Sequence, residues 1–180
     1  MKPQSDKVLM RAVQRGDEQA FAELLERHVD ALYSYAMRLT ASQSFAEDLV
    51  QETWLVVWTK TSTYDFRKSA LTTWLHRVLY NKFIDATRKK KFATEPLDSN
   101  NEPTAPRQNL TTDMAWLNKE LSRLPESQRA AILLAHAQGF GNKDIAQIMH
   151  TSVRAVESLL ARARRTLRSL YEQEATTNDE

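Results

Sequence analysis

Apolar residues recur along this chain at intervals of three and four, and the strict alternation of a half-buried strand is absent. After Gly16, the stripe Phe21, Leu24, Leu25, His28, Leu32, Tyr35, Ala36 and Leu39 predicts a core-facing helix with Asp17 as its N-cap. His28 lies on that stripe and is expected to be a packed, hydrogen-bonded histidine rather than a ligand. The next helix is predicted to open with a capping box, Ser44 followed by Glu47, and to run to about Lys60. Phe45, Ala46, Leu49, Val50, Val56 and Val57 supply its buried face. The polar stretch from Thr61 to Ser69 reads as a loop carrying two aromatics, Tyr64 and Phe66. A further helix then turns Leu71, Trp74, Leu75, Val78 and Leu79 inward and ends near the basic run Arg88-Lys89-Lys90-Lys91.

Between Ala93 and Thr112 the pattern disappears, and Pro96, Pro103 and Pro106 fall among Asn, Thr, Asp and Glu, so this segment is a linker. Helical spacing resumes at Asp113 with Trp116, Leu117, Leu121 and Leu124. Pro125 opens a helix from Glu126 to about Gln138, closed by Gly139. A short helix from Lys143 to Met149, a tight polar turn at His150-Thr151 and a long helix from Ser152 to Tyr171 follow. The acidic end, Glu172 to Glu180, is expected to fray. The expected fold is all-α: two small helical domains, residues 1–92 and 113–173, joined by a flexible linker over 93–112, with an acidic tail at 174–180. Such a linker leaves the relative orientation of the two domains open.

Composition narrows the function classes. With 42% apolar and 27% charged residues, the chain suits a soluble globular protein and not a disordered one. It has no cysteine, which excludes disulfides and thiolate metal sites. Met1 to Arg15 is too polar for a signal peptide, and no apolar run approaches the roughly 18 residues of a membrane span. A cytoplasmic protein without membrane insertion is expected. His28, His76, His136 and His150 are scattered and no phosphate-binding glycine loop is present. No catalytic set, cofactor, metal site or small-molecule substrate is therefore expected, and the chain is not an enzyme. The net charge is only +2, so the placement of charge matters more than its sum.

Three local arrangements stand out. The short helix, tight turn and longer helix at the C-terminal end have the layout of a helix-turn-helix, with small Ala146 permitting close approach. Ile145, Ala146 and Ile148 pack its first helix, and Val153, Val156 and Leu160 hold the second. The second helix presents Ser152, Arg154, Ala155, Glu157 and Ser158 toward base edges, and Arg162 and Arg165 toward phosphates. A solvated amphipathic helix in a bundle is the alternative. Asp48, Gln51 and Glu52 share one helix face, extended by Leu55 a turn further on. That face is either an ordinary wet surface or a docking patch for a basic helix. Finally, Tyr64 and Phe66 precede a polar stripe formed by Arg77, Asn81, Asp85 and Arg88. The rings either close the bundle or stack on unpaired bases that the stripe reads along their edges.

The run Ala46-Glu47-Asp48-Leu49-Val50-Gln51-Glu52-Thr53-Trp54, then Thr73-Trp74-Leu75-His76-Arg77-Val78 and Asn81 through Asp85 to Arg88, resembles region two of the extracytoplasmic-function sigma factors. Leu124-Pro125-Glu126-Ser127-Gln128-Arg129, Asp144-Ile145-Ala146 and Val156-Glu157-Ser158-Leu159-Leu160-Ala161-Arg162-Ala163-Arg164 resemble their region four. The resemblance spans nearly the whole chain, leaving the linker and tail unmatched. It implies a non-enzymatic subunit that directs core RNA polymerase to promoters. Asp48, Gln51, Glu52 and Leu55 would dock on the clamp helices of the β′ subunit, and the β flap is a further expected contact. Tyr64 and Phe66, with Arg77, Asn81, Lys82 and Arg88, would open and capture the minus-ten element. The helix from Ser152 would read the minus-thirty-five element, and the linker would thread toward the polymerase active site. An anti-sigma factor is an expected partner. Glu157 departs from the family, many of whose members carry Lys or Arg there; a glutamate accepts from a cytosine amino group instead of pairing with phosphate. A stand-alone helix-turn-helix regulator and a purely helical interaction module remain as alternatives.

Overall fold

A computed structural model describes residues 4–93 and 112–177, with side chains over 4–90 and 117–173. The linker, the Lys91 end of the basic run, the Trp116 side chain and the side chains of the acidic tail lie outside the described residues. Among the described residues eight α-helices follow one another: α1 (Asp6–Val13), α2 (Glu18–Thr40), α3 (Gln43–Thr59), α4 (Leu71–Ala93), α5 (Thr112–Arg123), α6 (Glu126–His136), α7 (Asn142–Ile148) and α8 (Val153–Thr177), with a 3-10 turn at Thr61–Thr63.

Helix starts follow local chemistry. The Asp17 carboxylate accepts from the Ala20 backbone N–H at 3.0 Å and caps α2 as expected. At α3 the cap is Ser42, whose hydroxyl accepts from the Phe45 N–H at 3.5 Å, and Ser44 lies inside the helix. The expected capping box was two residues late. Ala41 takes a left-handed conformation with φ of 52° and ends α2, so the chain turns between the two helices within Ala41 and Ser42. Glu47 instead accepts from the Gln43 side-chain amide at 2.8 Å. Gly139, at φ of 74°, supplies the left-handed step after α6 that a side chain would strain.

Two further helices depart from expectation. α1 is absent from the sequence reading, because eight residues show barely two turns of periodicity. It buries Leu9, Met10 and Val13, and Asp6 pins it to α2 through Arg27 (2.6 Å) and His28 (2.9 Å). His28 is thus the packed, bonded histidine anticipated. α8 continues to Thr177 instead of ending at Tyr171; Glu, Gln and Ala sustain a helix without a core to lean on.

α1 to α4 close around Leu24, Leu32, Tyr35, Leu39, Val57, Leu75 and Phe83, and α5 to α8 around Leu134, Ile145, Ile148, Val156 and Ala163. The two halves are in contact, and their cores join in one cluster. His76 of α4 lies between Tyr35 (5.4 Å) and Phe140 (4.8 Å), ring centre to ring centre. Its Nδ1 is 2.8 Å from the Thr72 carbonyl and its Nε2 3.3 Å from the Gln138 amide oxygen. Burial pushes this imidazole's pKa down, against the opposing effect of the two hydrogen bonds. Thr73 reaches Asp144 at 3.5 Å, and His150, in the turn between α7 and α8, reaches Asn81 at 3.0 Å.

Candidate nucleic-acid interface

On α3 the helical period sorts the residues cleanly. Ala46, Leu49, Val50, Thr53, Trp54 and Val57 are buried, while Asp48, Gln51, Glu52 and Leu55 stand in solvent on the opposite side. Leu55 is 60% exposed, unusual for a leucine in a helix so well buried elsewhere. Sequence reasoning missed Trp58, one turn beyond Leu55 and 39% exposed, whose inner side rests edge-on against Phe21 at 5.1 Å. Its i+3 spacing from Leu55 was the available signal. Glu52 bridges to Lys82 of α4 at 2.9 Å, which brings together residues expected to serve different partners.

The loop before α4 divides its two rings. Tyr64 is only 7% exposed, packs on Trp74 at 5.2 Å, and donates its hydroxyl to the Ser69 carbonyl at 3.4 Å. Burial raises its phenol pKa, and Asp6 and Asp65 add to the rise. In this arrangement Tyr64 closes the bundle and presents no face to an incoming base, contrary to its expected stacking role. Phe66 is half-buried, with the Lys7 ammonium 4.3 Å and the Arg11 guanidinium 4.7 Å from its ring centre, and Arg67 at 5.9 Å. Along α4, Asn81 and Arg88 are exposed and Arg77 and Lys82 half-buried. Asn81 is met by His150, and Lys82 is engaged by Glu52.

At the other end, α7 buries Ile145, Ala146 and Ile148 against α8, which contributes Val156, Leu160 and Ala163. Val153, expected to pack, is 36% exposed. The Ser152 hydroxyl accepts from the Ala155 N–H at 3.1 Å, so it caps α8 and its acceptor capacity is partly used within the helix. Arg154, Glu157, Arg162 and Arg165 are exposed, and Ala155 and Ser158 half-buried. These residues share one helix, with Arg154 and Glu157 near its start and Arg162 and Arg165 two turns on. Short α7, an abrupt turn and a longer basic α8 are the geometry that places a helix N-terminus in a major groove. Among the described residues no group of three or more histidine, aspartate or glutamate side chains is arranged to hold a metal ion. Among them, too, no helix is long and apolar enough to cross a membrane.

Residues 24–93 match the family Sigma-70 region 2, and residues 114–167 match Sigma-70, region 4. The chain is 31% identical over 167 residues to the ECF RNA polymerase sigma factor SigM of Mycobacterium tuberculosis, covering 92% of this chain and 84% of that one. It is 29% identical over 180 residues to the RNA polymerase sigma factor NccH of Alcaligenes xylosoxydans xylosoxydans, covering 94% and 96%. Among solved structures, the sigma factor RpoE in complex with the anti-sigma factor NepR, from Bartonella quintana, superposes with a TM-score of 0.74 at 30% identity, covering 84% of this chain and 96% of that one. CnrH in complex with the cytosolic domain of CnrY gives 0.71 at 25% identity, covering 93% and 97%.

Proposed function

The chain belongs to the Sigma-70 family, in its extracytoplasmic-function group, and as a non-enzymatic sigma factor directs promoter-specific transcription initiation; from that premise we propose how its surfaces divide the task. Residues 1–92 serve core polymerase and the minus-ten element, residues 113–173 the minus-thirty-five element, and 93–112 connect them. The exposed face of Asp48, Gln51, Glu52 and Leu55 docks on a basic helix of core polymerase, the β′ clamp. The single observation that carries this is the sorting of α3: a fully packed side, and opposite it three acceptors flanking an exposed leucine. A stand-alone regulator has no use for such a face.

In the minus-ten reading, Arg77, Asn81, Lys82 and Arg88 of α4 line the path of the captured strand, with Phe66 at its start. Tyr64 supports that surface from below. In the minus-thirty-five reading, Arg154 and Glu157 meet base edges while Arg162 and Arg165 hold phosphates. Joining two modest DNA contacts through one chain gives each a high effective concentration once the other is seated. The task places the protein in the cytoplasm. RpoE of Bartonella quintana is held by an anti-sigma factor, and a partner of that kind is proposed for this chain as well.

Transcription in vitro with core polymerase tests the docking assignment. Asp48→Lys with Glu52→Lys is expected to reduce initiation at least tenfold by weakening core binding, while loss of the exposed Glu52–Lys82 pair costs at most about 1 kcal/mol and leaves a cooperative thermal melt. Undiminished initiation by the double variant would remove α3 from the polymerase interface.

A further inference from the structure

α1 lies ahead of the residue at which the region 2 match begins, and none of the roles described so far uses it. Its Lys7 and Arg11 are one turn apart on the same face, and both lie over the Phe66 ring, which Arg67 approaches from the loop. Like charges at this spacing repel. The carboxylates nearby are committed elsewhere: Asp6 to Arg27 and His28, Asp65 to the Arg67 backbone N–H and, at 4.0 Å, to Lys68. Among the described residues, no carboxylate pairs with Lys7, Arg11 or Arg67. Three exposed cations therefore converge on one aromatic ring, none of them in an ion pair among the described residues.

We propose that Lys7, Arg11 and Arg67, gathered around Phe66, form a phosphate site for single-stranded promoter DNA, making α1 part of the DNA-binding surface. The ring holds the two helix cations by cation–π attraction, so a phosphate meets them already ordered. An aromatic within a cationic cluster is the combination that single strands use, phosphate on charge and base on ring; an acidic peptide needs no ring. The packing of Tyr64 on Trp74 sets the loop beside the turn of α4 that carries Arg77, so the site continues the surface assigned to the minus-ten strand. The inference rests on that assignment.

The test uses holoenzyme reconstituted from core polymerase and the full chain, with a fluorescent single-stranded oligonucleotide from the minus-ten region of a promoter the wild type opens. Lys7→Ala with Arg11→Ala leaves Leu9, Met10 and Val13 to dock α1, and an unchanged melting curve checks this. Oligonucleotide binding is expected to weaken about tenfold, and the slope of log affinity against log salt to fall by about one, as loss of phosphate contacts requires. Lys7→Arg should retain both. Unaltered affinity and slope in the double variant overturn the proposal. So does a loss of core binding with oligonucleotide binding intact, which would assign the cluster to an acidic protein segment. Failure of the underlying reading shows instead in the wild type, whose holoenzyme would open no promoter, and it would take this proposal with it.

Discussion

Tyr64 and Phe66 are separated by one aspartate, yet Tyr64 packs at a tilt against Trp74 inside the bundle while Phe66 lies at the surface beneath Lys7 and Arg11. Truncation should separate their roles. Tyr64→Ala removes a buried ring and is expected to cost about 3 kcal/mol of stability in a urea titration. Phe66→Ala, losing a half-buried ring, should cost less than half of that while weakening binding to single-stranded DNA. Equal destabilisation by the two would show that Phe66 is also core. Tyr64→Phe should stay within about 1 kcal/mol, because the 3.4 Å hydroxyl bond is long and a single neutral bond contributes about that much. Sequence alone left this pair undecided for a physical reason: a loop has no period, so nothing marks which ring turns inward until α4 places Trp74 beneath one of them.

In the proposed reading helix α8 joins two kinds of DNA contact on one element, and they are expected to fail differently. Arg162→Ala should weaken binding of holoenzyme to most promoter duplexes and lower its salt dependence by about one phosphate. Glu157→Ala should leave overall affinity nearly intact and change which minus-thirty-five bases are preferred, measured by selecting bound duplexes from a random pool. An unchanged preference would take Glu157 off the base edges. The long, periodic elements α2, α4 and α8 and the helix-turn-helix were legible in the chain, because core-facing stripes of three and four spacing leave little choice of structure. α1 was not, since Leu9, Met10 and Val13 cover too short a stretch to show a period. The start of α3 was displaced because Ser42 and Ser44 are both good caps, and only the left-handed turn at Ala41 selects between them. The acidic face of α3 was legible, exposed Trp58 was not, and the meaning of the face came from the resemblance.

The two halves of the molecule close on one another through His76–Phe140, Thr73–Asp144 and His150–Asn81, a relation the sequence left open. Promoter elements centred about 25 base pairs apart are separated by on the order of 80 Å of duplex at about 3.4 Å per base pair. The closed arrangement brings α7 against α4 and cannot span that distance, whereas the chain between Ala93 and Thr112 reaches on the order of 60 Å when extended. Thr73→Cys with Asp144→Cys, joined by a short bifunctional maleimide, should therefore abolish open-complex formation, and the unjoined variant should retain it. The native chain has no cysteine to confuse the result. Persistent activity of the joined protein would show that both elements are read without separation. The ion pair of Glu52 with Lys82 has a consequence at this scale too. A polymerase helix that claims the carboxylate sets the ammonium loose toward DNA, and DNA that claims the ammonium leaves the carboxylate to polymerase. With Glu52 assigned to polymerase and Lys82 to DNA as proposed, the two ligands assist each other by equal factors, as thermodynamic linkage demands. An exposed pair contributes at most about 1 kcal/mol, so the mutual gain is at most about fivefold: a bias toward the assembly in which both partners are present.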